Sequence, residues 1–193
     1  MTGPGDIWLP GLEHRPSPNA DERPAGVAVD LLVIHSISLP PGEFGGGHIG
    51  DLFLNRLDTG AHPYFAEIAG LRVSAHLLVR RDGSALQFVA LDRRAWHAGI
   101  SSFCGRERCN DFSIGIELEG SDEVPYTESQ YRRLDALTAT VRSLFPAIVP
   151  ARIVGHADIA PGRKTDPGPQ FDWGRYQDLI ARHDGEGRDI NES

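Results

Sequence analysis

VAVDLLVIH, residues 27–35, is a short, nearly continuous apolar run rich in β-branched residues. Strict alternation would mark a strand with one wet face, whereas an unbroken run predicts a strand buried on both faces. The run stops at His35 and gives way to SISLPPGEFGGGHIG (36–50), whose prolines and glycines forbid regular structure and predict a mobile loop over a site. A short helix is expected after it, at about 48–57.

Other segments alternate in type around that strand. LRVSAHLLVRRDGSALQFVA (71–90) is two β-rich runs joined across Asp82-Gly83, a hairpin signal. SIGIELEG (113–120) places Ile114, Ile116 and Leu118 on one face and Ser113, Gly115, Glu117 and Glu119 on the other, so two carboxylates share a side. TESQYRRLDALTATVRSLFP (127–146) opens with Thr127 and Gln130 at capping-box spacing, and Tyr131, Leu134, Thr138, Val141 and Phe145 then recur at helical period. ARIVGH (151–156) predicts a short strand ending in His156. GHADIAPGRKTDPGPQFDW (155–173) carries Pro161, Pro167 and Pro169 and predicts a constrained loop able to aim side chains. FDWGRYQDLIARH (171–183) predicts a closing helix, and the polar tail after Asp184 is expected to fray. The pattern predicts an α/β or α+β domain with a central mixed sheet flanked by helices.

At 193 residues the chain suits a single domain over 1–193, with its core at about 8–183. Lys and Arg number 19 against 27 Asp and Glu, a net charge of −8, with no basic run, which disfavours nucleic acid and anionic membranes as partners. No apolar stretch approaches the roughly 20 residues needed to span a bilayer. The acidic, proline-bearing start lacks the basic and apolar regions of a secretory signal, so a cytoplasmic location is expected. In that reducing compartment Cys104 and Cys109 are expected to be free thiols.

Two apolar runs end at His35 and His156, each just before a proline-bearing loop, where rigid scaffolds present chemistry. Singly, most of the eight histidines should be surface or core residues. With Asp166 the pair makes a three-ligand set that leaves a fourth position open on zinc, the arrangement of a catalytic rather than a structural site. Zinc lowers the pKa of water from about 15.7 toward about 7 and polarises a carbonyl. Amide hydrolysis further needs a carboxylate to move a proton, for which Glu117 or Glu119 serves, and positive charge beside the developing oxyanion, for which Lys164 is placed two residues before Asp166.

HSISLPPGEFGG, AHPYF, LRVSAHLLVRRDG, RAWHAG, GRERCNDFSIGIELEG and GH-x-x-IAP-x-RKTDPGP-x-FDW, in that order from about Trp8 to about Ile180, resemble the AmpD family of cytoplasmic zinc amidases that recycle cell-wall fragments. These belong to the amidase_2 group, similar in fold to bacteriophage T7 lysozyme and peptidoglycan recognition proteins. The resemblance implies one zinc per chain held by His35, His156 and Asp166, with Glu117 as the proton shuttle, Glu119 supporting and Lys164 stabilising the transition state. The implied reaction cleaves the amide between the lactyl group of N-acetylmuramic acid and L-alanine, 1,6-anhydromuropeptides being preferred; clearing these fragments limits β-lactamase induction. The chain is separately expected to be a monomer.

The same resemblance implies that Arg72 and Arg108 clamp the carboxylates of the stem peptide, surface ion pairs of little worth being the alternative for both, and that Ser36, Tyr64, Trp96, His97 and Ala160 contact substrate. Trp96 suits core packing equally well, and His97 either bonds near the site or orients neighbours. The chain departs from the family pattern at Ser36, where asparagine is usual, and at Gly162, where glutamate is usual. A noncatalytic peptidoglycan-fragment recognition module would share the fold, and a non-haem iron oxygenase would share two histidines and a carboxylate.

Overall fold

The computed structural model describes residues 5–186. Among them, in chain order, are β1 (Glu13–His14), β2 (Ala20–Asp21), β3 (Leu31–Ile37), α1 (His48–Phe53), α2 (Pro63–Glu67), β4 (Leu77–Val79), β5 (Ala85–Gln87), β6 (Arg94–Ala95), β7 (Ser102–Phe103), β8 (Arg106–Glu107), β9 (Ser113–Glu119), α3 (Glu128–Leu144), β10 (Ile153–Gly155), α4 (His156–Ile159) and α5 (Trp173–Glu186). The expected frayed tail falls partly within α5, and 187–193 lie outside the described residues.

The decisive apolar run forms β3 four residues later than its first valine. Val27 N–H closes a turn onto Pro24 O at 3.2 Å, and pairing with β9 starts only at Leu31. The strand then runs past His35, because Ser36 and Ile37 stay in register with Leu118 and Glu119. Six strands form a mixed sheet in the order β1-β5-β4-β9-β3-β10. All neighbours are parallel except the β4–β5 hairpin, which turns through Asp82-Gly83 as expected. β2–β6 and β7–β8 are separate two-stranded ribbons.

Period-2 alternation along β3 and β9 divides the core. Leu32, Ile34, Ile114, Ile116 and Leu118 pack against Leu134 and Val141 of α3 and Tyr176 and Ile180 of α5. α3 carries the full capping box: Thr127 Oγ1 accepts Gln130 N–H, and Gln130 Oε1 accepts Thr127 N–H, both at 3.1 Å. On the other face Leu78 and Leu86 lie under Phe53 and Phe65 of α1 and α2, while Leu31 and Val33 pack with Phe112 and Ile159. At about 1.5–3 kcal/mol per fully buried aliphatic side chain, these layers hold a sheet that carries buried polar groups on its second face.

Two expectations are corrected and one open point is settled. Alternation along SIGIELEG left the exposure of its polar side open, and Ser113, Gly115 and Glu119 are buried beneath the second layer. GHADIA is not loop, because its first proline is at 161 and Asp158 Oδ2 accepts Gly155 N–H at 2.7 Å, so α4 forms one helical turn. The helix expected to 57 stops at Phe53, and Asn55 turns the chain at φ 56°.

Candidate functional site

His35 is the fifth residue of β3 and shares the second face with Leu31 and Val33, so its position follows from the strand period. Directly across the parallel pair lies Glu117 of β9. β10 pairs beside β3 with Gly155 opposite Ile34, and the chain turns at once into α4, which begins with His156. The segment bearing Asp166 is tied back to that helix by Ala157 N–H to Asp166 O at 2.9 Å and Lys164 N–H to Ala160 O at 3.1 Å. Tyr126 Oη donates to Pro167 O at 2.8 Å and fixes the far side of the loop.

Three atoms converge. His35 Nδ1 lies 2.9 Å from His156 Nδ1, and Asp166 Oδ2 lies 3.0 Å from His156 Nδ1 and 3.3 Å from His35 Nδ1. Among the described residues this is the one such group of histidine, cysteine or acidic side chains. His156 Nε2–H donates to Ala98 O at 3.1 Å, because a carbonyl only accepts, and this turns Nδ1 inward toward the other two atoms. Burial pushes the pKa of His35 down to about 4, which keeps that ring neutral. Burial raises the Asp166 carboxyl, but the His156 and His35 rings reverse this and hold it well below the usual carboxylate range.

Imidazole nitrogens and a carboxylate facing one another at these separations fit a shared cation. Four-coordinate zinc with ligands at about 2.0–2.1 Å sets neighbouring donors about 3.3 Å apart.

The acid beside this triad is set apart from its neighbour on the same strand. Glu117 Oε2 is buried with no hydrogen-bond partner. Burial, then the charge of Asp166, push its carboxyl well above the usual range, while Lys164 acts in the opposite direction. Glu119, by contrast, is occupied: its carboxylate accepts Gly45 N–H at 2.5 Å and Arg81 N–H at 3.0 Å, clamping the 38–47 loop to the hairpin.

A cleft of about 320 Å³ brings Glu117, His156, Asp166 and Lys164 together with Ser36, Tyr64, Trp96 and His97. It is also lined by Leu39 and Pro41 of the loop before α1, Leu52 and Phe53 of α1, and Ile68 just after α2, none of which sequence reasoning singled out. The signal available was the HPYF start of a helix, with His62 capping and Pro63 at its first position. Arg108 and Ala160 are elsewhere: they line a neighbouring groove with Ile100, Ser101 and Arg163. Arg72 is exposed, its guanidinium on Ala69 O and Leu71 O at 3.3 and 3.1 Å. Gly162 sits at φ +77°, a left-handed conformation that disfavours the glutamate usual there.

Two inward imidazole nitrogens, a carboxylate, an orphaned buried acid and a lysine thus share one cleft of a mixed sheet, and the first three make a donor set that fits one cation. The chain belongs to the N-acetylmuramoyl-L-alanine amidase family, whose sequence model matches residues 25–169, and it is an amidase rather than a recognition module. It is 57% identical over 175 residues to the 1,6-anhydro-N-acetylmuramyl-L-alanine amidase AmpD of Escherichia coli K12, covering 91% of this chain and 95% of that protein. A crystal structure of a selenomethionine AmpD derivative superposes with a TM-score of 0.87 at 58% identity, covering 89% of this chain and 96% of that one. The E. coli amidase AmiD, solved with its substrate anhydro-N-acetylmuramic acid-L-Ala-D-γ-Glu-L-Lys, is 31% identical with a TM-score of 0.57, covering 83% of this chain and 65% of that one.

Proposed function

We propose that this chain is a zinc-dependent amidase that hydrolyses the lactyl–L-alanine amide of 1,6-anhydromuropeptides, as a cytoplasmic monomer in cell-wall recycling. The observation that carries the reading is the convergence of His35 Nδ1, His156 Nδ1 and Asp166 Oδ2 within 2.9–3.3 Å beside the orphaned carboxyl of Glu117. The relatives' names and the muropeptide bound to AmiD support the substrate class. Two unpaired cysteines support a reducing compartment, and no helix of the described residues is long and apolar enough to cross a membrane.

His35, His156 and Asp166 would hold the metal, which when bound polarises a carbonyl oxygen and acidifies water. Glu117 takes the proton of the attacking water and delivers it to the leaving amine nitrogen. Burial suits it to this, because a carboxyl with a raised pKa holds a proton between the two transfers. Lys164 sets its ammonium at the cleft, where charge develops on the carbonyl oxygen in the transition state. Ser36, Tyr64 and Trp96 bound the sugar and first residues. Arg108 and Ala160 in the adjoining groove, with Arg72 at the rim, meet the carboxylates of a stem peptide that extends beyond the cleft.

Incubation of zinc-loaded and chelated protein with an anhydromuramoyl tripeptide tests this reading by product mass. Free anhydromuramic acid and intact tripeptide, formed only with metal, are expected. An intact substrate, or cleavage within the peptide, would overturn it.

A further inference from the structure

On the side of His35 away from the triad, a line of buried polar groups runs into the protein. His35 Nε2 lies 2.8 Å from His97 Nδ1. His97 Nε2 lies 3.1 Å from Ser113 Oγ, and Ser113 Oγ donates to Cys109 O at 2.6 Å. Ser113 is fully buried and His35 almost so, at 0% and 1% exposure, and His97 reaches the cleft with only 9% of its surface.

The direction of the line is fixed at its inner end. Cys109 O is a carbonyl and only accepts, so the single hydroxyl proton of Ser113 is committed to it. Ser113 Oγ therefore receives the proton of His97 Nε2. A neutral His97 with its proton on Nε2 presents a bare Nδ1, which accepts from His35 Nε2–H. His35 is then left with its lone pair on Nδ1, the atom that faces His156 and Asp166.

A second observation shows that the fold reserves this place for the His97 ring. A Cβ at Gly115 would stand 2.6 Å from the ring's Cγ and Nδ1, a separation no side chain tolerates. Gly115 thus forms the floor on which the ring lies, between His35 and Ser113.

We propose that Ser113, through His97 seated on Gly115, is a positioning residue that locks His35 in its Nε2–H tautomer and so presets one ligand of the metal site. This rests on the reading of His35 as a ligand. It moves His97 from a substrate contact to an orienting group.

Long-range ¹H–¹⁵N spectra of the histidine-labelled protein, assigned by single histidine replacements, test the tautomers directly. In the wild-type chain, with and without zinc, His35 and His97 are both expected as Nε2–H. Ser113→Ala should mix the tautomers of both rings and weaken zinc, measured by chelator competition, about 10- to 100-fold, and Ser113→Thr, which keeps the hydroxyl, should restore both. A wild-type His97 protonated on Nδ1 overturns the proposal whether or not the alanine variant folds. So does an alanine variant with unchanged zinc affinity and uniform tautomers. Zinc stoichiometry of the wild type, with Asp166→Ala as control, separates this from failure of the metal reading: a wild type that takes up no zinc refutes the ligand set itself.

Discussion

At the scale of single residues, Glu117 and Glu119 show what strand alternation tells and what it withholds. Both lie on one face of β9, and period alone ranks them equally. The neighbours that separate them come from distant segments: Gly45 and Arg81 donate to Glu119, and nothing donates to Glu117 Oε2. Glu117→Gln keeps the shape of the site and removes the proton carrier, so zinc content should be unchanged while kcat falls about 10²- to 10⁴-fold. Turnover equal to wild type in a steady-state assay would reject its role. Lys164→Ala should lower kcat with little change in KM, because the ammonium meets charge that exists mainly in the transition state. A rise in KM at constant kcat would instead make Lys164 a ground-state binder.

Elements were legible in the sequence to the degree that their determinants are local. α3 was, because its capping box and apolar period lie within the segment that folds, and the hairpin was, because Asp82-Gly83 suffices to turn it. The ends of β3 were not, since they depend on where β9 pairs, some 80 positions away in the chain. The two-residue strands, the five-residue α2 and the one-turn α4 are too short to show a period. Thr127 does double duty, its Oγ1 accepting Gln130 N–H and donating to Arg81 O at 2.7 Å. Thr127→Ala should therefore cost about 1 kcal/mol and lower Tm by about 2–4 °C. A calorimetric Tm equal to wild type would show that neither bond matters. The groove beside the cleft makes its own prediction: Arg108→Gln should raise KM for stem peptides bearing carboxylates while sparing kcat, and unchanged KM would dismiss the clamp.

At the scale of the molecule, the face that carries the site also buries histidines. His76 is fully enclosed, its Nδ1 accepting Gly115 N–H and its Nε2–H donating to Arg93 O, both at 3.0 Å. Burial, then the charge of Arg23, push its pKa down to about 3 from 6.5. Between those values the unfolded chain binds a proton that the native chain refuses. Stability is thus full above about pH 6.5 and falls as pH drops toward 3, by up to about 1.4 kcal/mol per unit for this one group. His76→Gln keeps one acceptor and one donor, so its denaturant midpoint should fall less steeply from about pH 7 to about pH 4. An unchanged slope would contradict the assignment.

The central claim is that β3, the start of α4 and the following loop bring three side chains around a single divalent cation. Anomalous diffraction at the zinc edge from crystals of the zinc-loaded protein measures this directly. The expected result is one peak per chain about 2.0–2.2 Å from His35 Nδ1, His156 Nδ1 and Asp166 Oδ2, with no fourth protein ligand. A peak elsewhere, or a fourth side chain closing the coordination sphere, would contradict it.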